Sequence, residues 1–286
     1  MAKMHFLFIL LQYLVPQHLL SRLTGRIAST KTAWLKNAII RWFIRRYSVN
    51  MAEALHENAD DYASFNDFFT RALKEKARPI DDGDDILVSP ADGVISAIGD
   101  IANDLLIQAK GKHFELLELV GGDTEIAEVF REGSFVTVYL SPKDYHRVHM
   151  PLAGTLRKMV YVPGKLFSVN QTTSEHIQGL FARNERAICI FDTDMGPLAV
   201  ILVGAMIVAG IDTVWSGQVT PAKHGLSVED YSSQHPAIQL GKGEELGRFR
   251  LGSTVILLAG PGALDWAEGF VENSAVQMGS MLAKLR

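Results

Sequence analysis

The sequence predicts an α+β fold, with N-terminal membrane-associated helices over residues 1–83 followed by a β-rich catalytic domain over residues 84–286. Three observations predict it. The first fifty residues are apolar and purely cationic. From about residue 84 the chain turns into short β-branched or apolar runs broken by Gly, Pro and Asp. Helical signals in that second part are few, and no repeat or low-complexity linker interrupts it.

The arm comes first. Residues 1–50 contain Lys3, Arg22, Arg26, Lys31, Lys36, Arg41, Arg45 and Arg46 and no Asp or Glu. The rest of the chain then holds 20 basic against 32 acidic residues, so the formal net charge of −4 conceals a cationic segment joined to an acidic body. Phe6 to Val15 is almost wholly apolar but only about half the length a helix needs to cross a bilayer, and Pro16 interrupts it. A secretory leader would need a small-x-small cleavage site, whereas Gln17-His18-Leu19-Leu20 follows. Trp34–Tyr47 predicts a helix with Leu35, Ile39, Ile40, Trp42, Phe43 and Tyr47 along one broad side and Asn37, Arg41 and Arg45 opposite, although Lys36 and Arg46 spoil the pattern. Basic residues beside Trp and Phe suit a helix lying in the headgroup layer of an anionic membrane. Packing of these helices on the rest of the protein is the alternative.

In the body, Ile86–Val88, Gly93–Ile95, Phe135–Leu140, Ala187–Phe191, Leu198–Val203 and Thr254–Leu258 predict strands. Helices are predicted over Tyr62–Leu73 after the capping candidate Asp61, over Phe114–Leu119, and near Ala263–Glu268. Cys189, the single cysteine, lies in an apolar run and reads as core; alone it forms no internal disulfide.

Elimination narrows the chemistry. Gly-x-Ser-x-Gly, Gly-Lys-Ser/Thr, Gly-x-Gly-x-x-Gly and His-Glu-x-x-His are all absent. Three places remain. Asp92, in Ser89-Pro90-Ala91-Asp92-Gly93, sits at a turn between two predicted strands, and Asp-Gly is also an ordinary hairpin signal. His146 and His149, in Asp144 to Pro151, end a strand-like run; as a zinc pair they lack an evident further ligand, so no metal is expected. Gly252-Ser253 opens an apolar strand. Glycine leaves its carbonyl uncrowded and accepts unusual φ, so the following hydroxyl can approach that carbon. Serine needs a base to lose its proton, and His149 oriented by Asp92 would supply one.

At these residues the sequence resembles the bacterial phosphatidylserine decarboxylases of the pyruvoyl-dependent type, with their Leu-Gly-Ser-Thr cleavage motif at Leu251–Thr254. The likeness extends over Asn50–Ala54, Phe65–Arg71, Ser89–Gly93, Asp144–Pro151, Val162–Asn170, Phe181–Arg186 and Lys242–Phe249, in family order. The resemblance implies that Asp92, His149 and Ser253 form a self-cleavage triad that cuts Gly252–Ser253, giving a β chain 1–252 and an α chain 253–286. Ser253 would become a pyruvoyl group, the only cofactor, which forms a Schiff base with the substrate. His146 would act with the bound lipid, converting phosphatidylserine in an anionic membrane to phosphatidylethanolamine. The resemblance further implies a homodimer of αβ protomers, peripheral on the cytoplasmic face of the inner cell membrane. No nucleic-acid partner is expected, since the arm is far more apolar than a typical basic tail and no nucleic-acid motif accompanies it. The alternative is a membrane-surface serine hydrolase that uses the same Asp92, His149 and Ser253 and keeps the serine intact.

Overall fold

Pro16 lacks the N–H that would continue a helix, and the chain breaks there. In the computed structural model, which describes residues 2–109, 111–206, 210–220, 225–250 and 252–286, helix α1 (Ala2–Leu14) ends just before it and α2 (Gln17–Ala28) starts just after. Helix α3 (Ala33–Tyr47) follows. No described helix is long and apolar enough to cross a membrane.

The broad apolar side expected for α3 is split in two. Ile40 and Phe43 are buried in a cluster with Tyr62, Phe65, Phe68 and Phe69, whereas Trp34 and Trp42 are 74% and 58% exposed. The basic side is also partly spent on packing. Lys36 is buried and donates to Asn37 Oδ1 and to the Asp60 carbonyl, and Arg41 pairs with Asp60 at 2.8 Å. A residue can thus serve the protein on one side of a helix while its neighbour one position on, about 100° around the axis, faces solvent.

Between arm and body lies α4 (Phe65–Phe69), far shorter than the helix expected over Tyr62–Leu73. Asp61 does not cap it; it ends a 3₁₀ turn, Ala59–Asp61. The cap is Ser64, whose Oγ accepts from the Asp67 amide.

The body is built from β1 (Ile86–Val88), β2 (Gly93–Asp100), β3 (Ser134–Leu140), β4 (Arg147–His149), β5 (Gly154–Val162), β6 (Arg186–Thr193), β7 (Gly196–Val203), β8 (Glu245–Phe249) and β9 (Ser253–Ala259), with shorter strands around them. All the predicted strand runs form. A nine-stranded antiparallel sheet runs Ser227–Asp230, β5, β6, β7, β9, β3, β2, Ala275–Val276, with Gln239–Leu240 also paired to β5. Strands β4 and β8 pair in a separate four-stranded sheet. Two expected helices differ. Phe114 lies in a strand, Lys112–Glu115, and only Leu116–Leu119 is helical; the segment near Ala263–Glu268 holds a strand, Leu264–Trp266, because it pairs with Met281–Leu285.

The central strands are apolar on both faces, for a reason visible in the packing. Along β9, Val255, Leu257 and Ala259 enter one core cluster while Ile256 and Leu258 enter another. Along β7, Leu198, Val200 and Leu202 split in the same way from Ala199, Ile201 and Val203. Side chains alternate across a strand, so a sheet covered on both sides reads as a continuous apolar run. Cys189 is buried in the first of these clusters, as the sequence suggested.

At Gly93 the sheet tolerates no side chain: a Cβ there would lie 2.3 Å from the Tyr139 carbonyl oxygen of β3. Gly93→Ala should therefore cost about 1–3 kcal/mol of stability, read as a lowered denaturant midpoint. An unchanged midpoint would mean that β2 and β3 do not approach so closely.

Candidate active site

The sheet register gathers the candidate residues at one end of three neighbouring strands. Ser253, first residue of β9, pairs with Leu140, last residue of β3. Val94, second residue of β2, pairs with Tyr139. Asp92 therefore stands just before β2, the loop carrying His146 leaves the end of β3, and the Gly252–Ser253 bond enters β9, all at the same edge. A second tie comes from the smaller sheet, where the Phe249 amide donates to the His146 carbonyl at 3.0 Å and Glu245 pairs with His149 in register. The His149 amide in turn donates to the Pro90 carbonyl at 2.8 Å.

Gly252 adopts φ +53°, the left-handed region that glycine enters without strain, and nothing lies within 4 Å of where its Cβ would be. The backbone at Gly252 is thus bent and uncrowded. Leu251 lies outside the described residues.

His149 is oriented, though not by the residue expected. Its Nδ1 is 2.8 Å from the Gly243 carbonyl oxygen, an acceptor only, so Nδ1 carries the proton and donates. Nε2 is then left as the acceptor for Tyr145 Oη at 2.9 Å. Burial raises the Tyr145 pKa to about 12, so its hydroxyl stays protonated and donates. Burial also lowers the His149 pKa, against a smaller opposite effect of the Gly243 hydrogen bond. A neutral imidazole with its lone pair on Nε2 is the form a general base requires.

Asp92 makes no hydrogen bond to His149. Its carboxylate is gripped by Arg78, with Nε at 2.8 and 3.0 Å and Nη2 at 2.6 Å, and accepts from the Met278 amide at 2.9 Å. Both side chains of this pair are only 9% exposed, and Arg78 also reaches Glu53 at 2.8 Å. The planar guanidinium fork satisfies both carboxylate oxygens at once, which one imidazole nitrogen cannot do. Asp92 still acts on His149 through space, raising its pKa as the least of the contributing charges.

His146 is fully buried. Its Nδ1 donates to the Asp144 carbonyl at 2.8 Å, its ring lies 4.0 Å from that of Phe69, and its Nε2 has no hydrogen-bond partner. Burial first, and then the nearby Arg71 cation, push its pKa down to about 3. Arg71 is itself buried; Nη2 donates to the carbonyls of Lys143 and Asp144, while Nε and Nη1 have no partner.

Sequence reasoning singled out the two histidines, the aspartate and the scissile bond, and the structure brings all of them to one edge. It missed Arg78, Arg71, Tyr145 and the Gly243 carbonyl. Arg71 and Tyr145 stand inside motif blocks already noted and Gly243 inside another; Arg78 carries no local signal.

Comparison with known proteins adds a second line. A family model described as "Phosphatidylserine decarboxylase" matches residues 65–284, and one described as "PSD" matches residues 7–48. A protein of Pseudomonas entomophila (strain L48) named "Phosphatidylserine decarboxylase proenzyme" is 59% identical over 278 residues, covering 97% of each chain. Proteins of the same name from Pseudomonas putida (strain GB-1) and Pseudomonas fluorescens (strain SBW25) are 58% and 59% identical, again over 97% of each chain.

The histidines also set a pH dependence. The unfolded chain takes up a proton at His146 below pH 6.5, whereas the folded chain, with its pKa near 3, does not. Stability is therefore fully present above about pH 6.5 and is lost as pH falls towards 3, at about 1.4 kcal/mol per pH unit for this residue. His149, also shifted down, adds a contribution of the same sign. Denaturant midpoints between pH 7 and pH 5 should show this fall, and His146→Asn should make it shallower; a slope identical to that of the parent would disprove the buried neutral imidazole.

Proposed function

The chain belongs to the phosphatidylserine decarboxylase family and removes carbon dioxide from phosphatidylserine to give phosphatidylethanolamine, and we propose that it does so with a ketone made from its own Ser253. The observation that supports the proposal is a bent, open Gly252 on the strand end towards which the register also brings the loop of a neutral, oriented His149. The relatives are named proenzymes, which favours self-cleavage over a hydrolase that keeps its serine.

In maturation, His149 Nε2 takes the proton from Ser253 Oγ once Tyr145 gives way. The oxygen attacks the Gly252 carbonyl carbon, the C–N bond breaks, and the amide becomes an ester with a free amine on residue 253. Loss of the Cα proton of residue 253 expels the ester as the Gly252 carboxylate and leaves dehydroalanine. Its imine tautomer adds water and releases ammonia, giving the pyruvoyl end of the α chain 253–286, while 1–252 remains as the β chain. The buried Arg78–Asp92 pair fixes the loop that meets His149 through Pro90, so Asp92 supports the base from behind rather than by direct contact.

The pyruvoyl group supplies an electron acceptor for the pair left on the α carbon when carbon dioxide departs. The chain's own residues do the rest. The apolar shell of Phe68 and Phe69 around Arg71 and His146 limits water at the site. Burial is the main reason His146 is neutral and the Arg71 cation adds to it; a substrate anion beside Arg71 offsets that second part, and the His146 pKa rises. His146 can then carry the proton that the α carbon needs.

The reading extends to a peripheral position on the cytoplasmic face of the inner membrane and to a homodimer of cleaved protomers. Supporting attachment are the exposed apolar side chains Leu7, Leu14, Leu19, Leu23, Ile27, Trp34 and Trp42 on α1–α3, set among cations with no acidic residue before Glu53.

Intact-mass analysis of the purified protein should give two chains in place of one 31.5 kDa species, the smaller blocked to N-terminal sequencing. Ser253→Ala should stay uncut and inactive, whereas His146→Ala should still cut itself and lose at least about a hundredfold in decarboxylation. An active enzyme with Ser253 chemically intact would end the proposal.

A further inference from the structure

Beside the cleavage edge lies a cavity of about 440 Å³ between helix α2 and the body. Its α2 wall carries His18, Arg22 and Arg26; its body wall carries Asn66, Leu166, Glu185 and Arg250. Two connections tie it to the reactive residues. Arg250 precedes Ser253 by three positions, so their Cα atoms are at most about 11 Å apart. Asn66 belongs to α4, the helix whose Phe69 stacks on His146.

The charges in this cavity are unevenly matched. Arg22 and Arg26 make no ion pair and no hydrogen bond with any described residue. Arg250 gives its Nε to Asp212 at 3.0 Å, which leaves its terminal nitrogens unassigned. His18 faces the Gly164 carbonyl at 3.0 Å. The acidic lining residue is Glu185, whose pKa burial raises and whose Oε1 accepts from Tyr161 Oη at 2.7 Å. Three guanidinium groups thus converge on a space where the carboxylate is buried and held by a tyrosine.

Position on α2 identifies the anion. Leu19, Leu23 and Ile27 recur every four residues and are 55%, 47% and 56% exposed. Arg22 and Arg26 follow the same spacing one position earlier, so a cationic stripe runs beside an apolar one, about 100° around the helix. A molecule that spans both stripes needs acyl chains for the first and a phosphodiester for the second.

We infer that the groove between α2 and the body is the headgroup subsite for the diacyl lipid, with Arg22, Arg26 and Arg250 holding its phosphodiester while the amine end reaches residue 253. This rests on the decarboxylase reading above. It gives α2 a role beyond attachment, because the same turn of helix that touches the membrane also measures the distance from lipid phosphate to reactive ketone. Arginine suits the task, since its planar donors can take two phosphate oxygens at once.

The test uses the complete, self-cleaved enzyme and a short-chain phosphatidylserine below its micelle concentration, alongside vesicles of phosphatidylcholine with phosphatidylglycerol. Arg22→Ala/Arg26→Ala should still mature fully by intact mass, because both side chains are exposed and neither takes part in the proposed cleavage. Its KM for the soluble lipid should rise roughly 10- to 100-fold with kcat changed little, and Arg22→Lys/Arg26→Lys should recover part of the loss. If KM for the soluble lipid stays at the parent value while vesicle binding weakens, the arginines serve only the membrane surface and the subsite is overturned. Failure of the parent reading looks different: the unmutated enzyme would then neither cut itself nor release carbon dioxide from either substrate.

Discussion

Seven successive backbone pairings between β3 and β9, from Ser253 against Leu140 to Ala259 against Ser134, hold the start of β9, where the proposed cleavage falls, beside the point at which the histidine loop begins. The same strand β3 is paired on its other edge with β2, so Asp92 is fixed by the same ladder. A slip of one residue would exchange the two faces of β9 and push Val255 and Leu257 out of one core cluster into the other. Because both faces of this sheet are packed, the register carries the whole weight of the core. The geometry of the site is therefore inherited from burial far from it.

Around that edge burial keeps both histidines neutral, and at His146 a nearby cation, Arg71, adds to it. Arg71 and Arg78 are both buried cations, but they are handled differently. Arg78 is matched by Asp92 and Glu53, whose hydrogen bonds raise its pKa. Arg71 has only carbonyl partners and a face-on contact with Phe68, and burial lowers its pKa. One cation locks a loop; the other leaves positive potential and two guanidinium nitrogens without partners beside His146. Such an unmatched buried donor is costly in a resting protein, and an anionic substrate is the natural relief for it. The site thus stores, in the uncut chain, the electrostatic demand that the proposed reaction would satisfy.

Much of this was legible in the residues, and the failures follow a pattern. Strands were found because a doubly covered sheet writes itself as unbroken β-branched runs. Asp92, His146, His149 and Ser253 were singled out because their neighbours form recognisable blocks, and the strand register sets them at neighbouring strand ends. What escaped notice was decided by partners distant in sequence. Asp92 looked available to His149, yet Arg78 and Met278 claim it; nothing near position 78 announces that. The strand Leu264–Trp266 depends on Met281–Leu285 as its neighbour, and a local pattern cannot supply one. Lys36 seemed to spoil a helix face, whereas it reaches the Asp60 carbonyl from a buried position.

The split role of α3 links the arm to the chemistry. Phe43 packs edge-on against Phe65, Phe68 and Phe69 with ring centroids 5.1, 6.0 and 5.8 Å away. Phe69 in turn lies against His146, and Phe68 lies under Arg71. Aromatic rings in such close-packed contact pass a displacement from one to the next. A helix that presents Trp34 and Trp42 outward is thereby in mechanical contact, through one layer of rings, with the two groups that the proposed reaction needs most. An arm that merely tethered the enzyme would need only a flexible joint; a continuous aromatic core in its place argues that α3 and the proposed reactive edge form a single rigid unit.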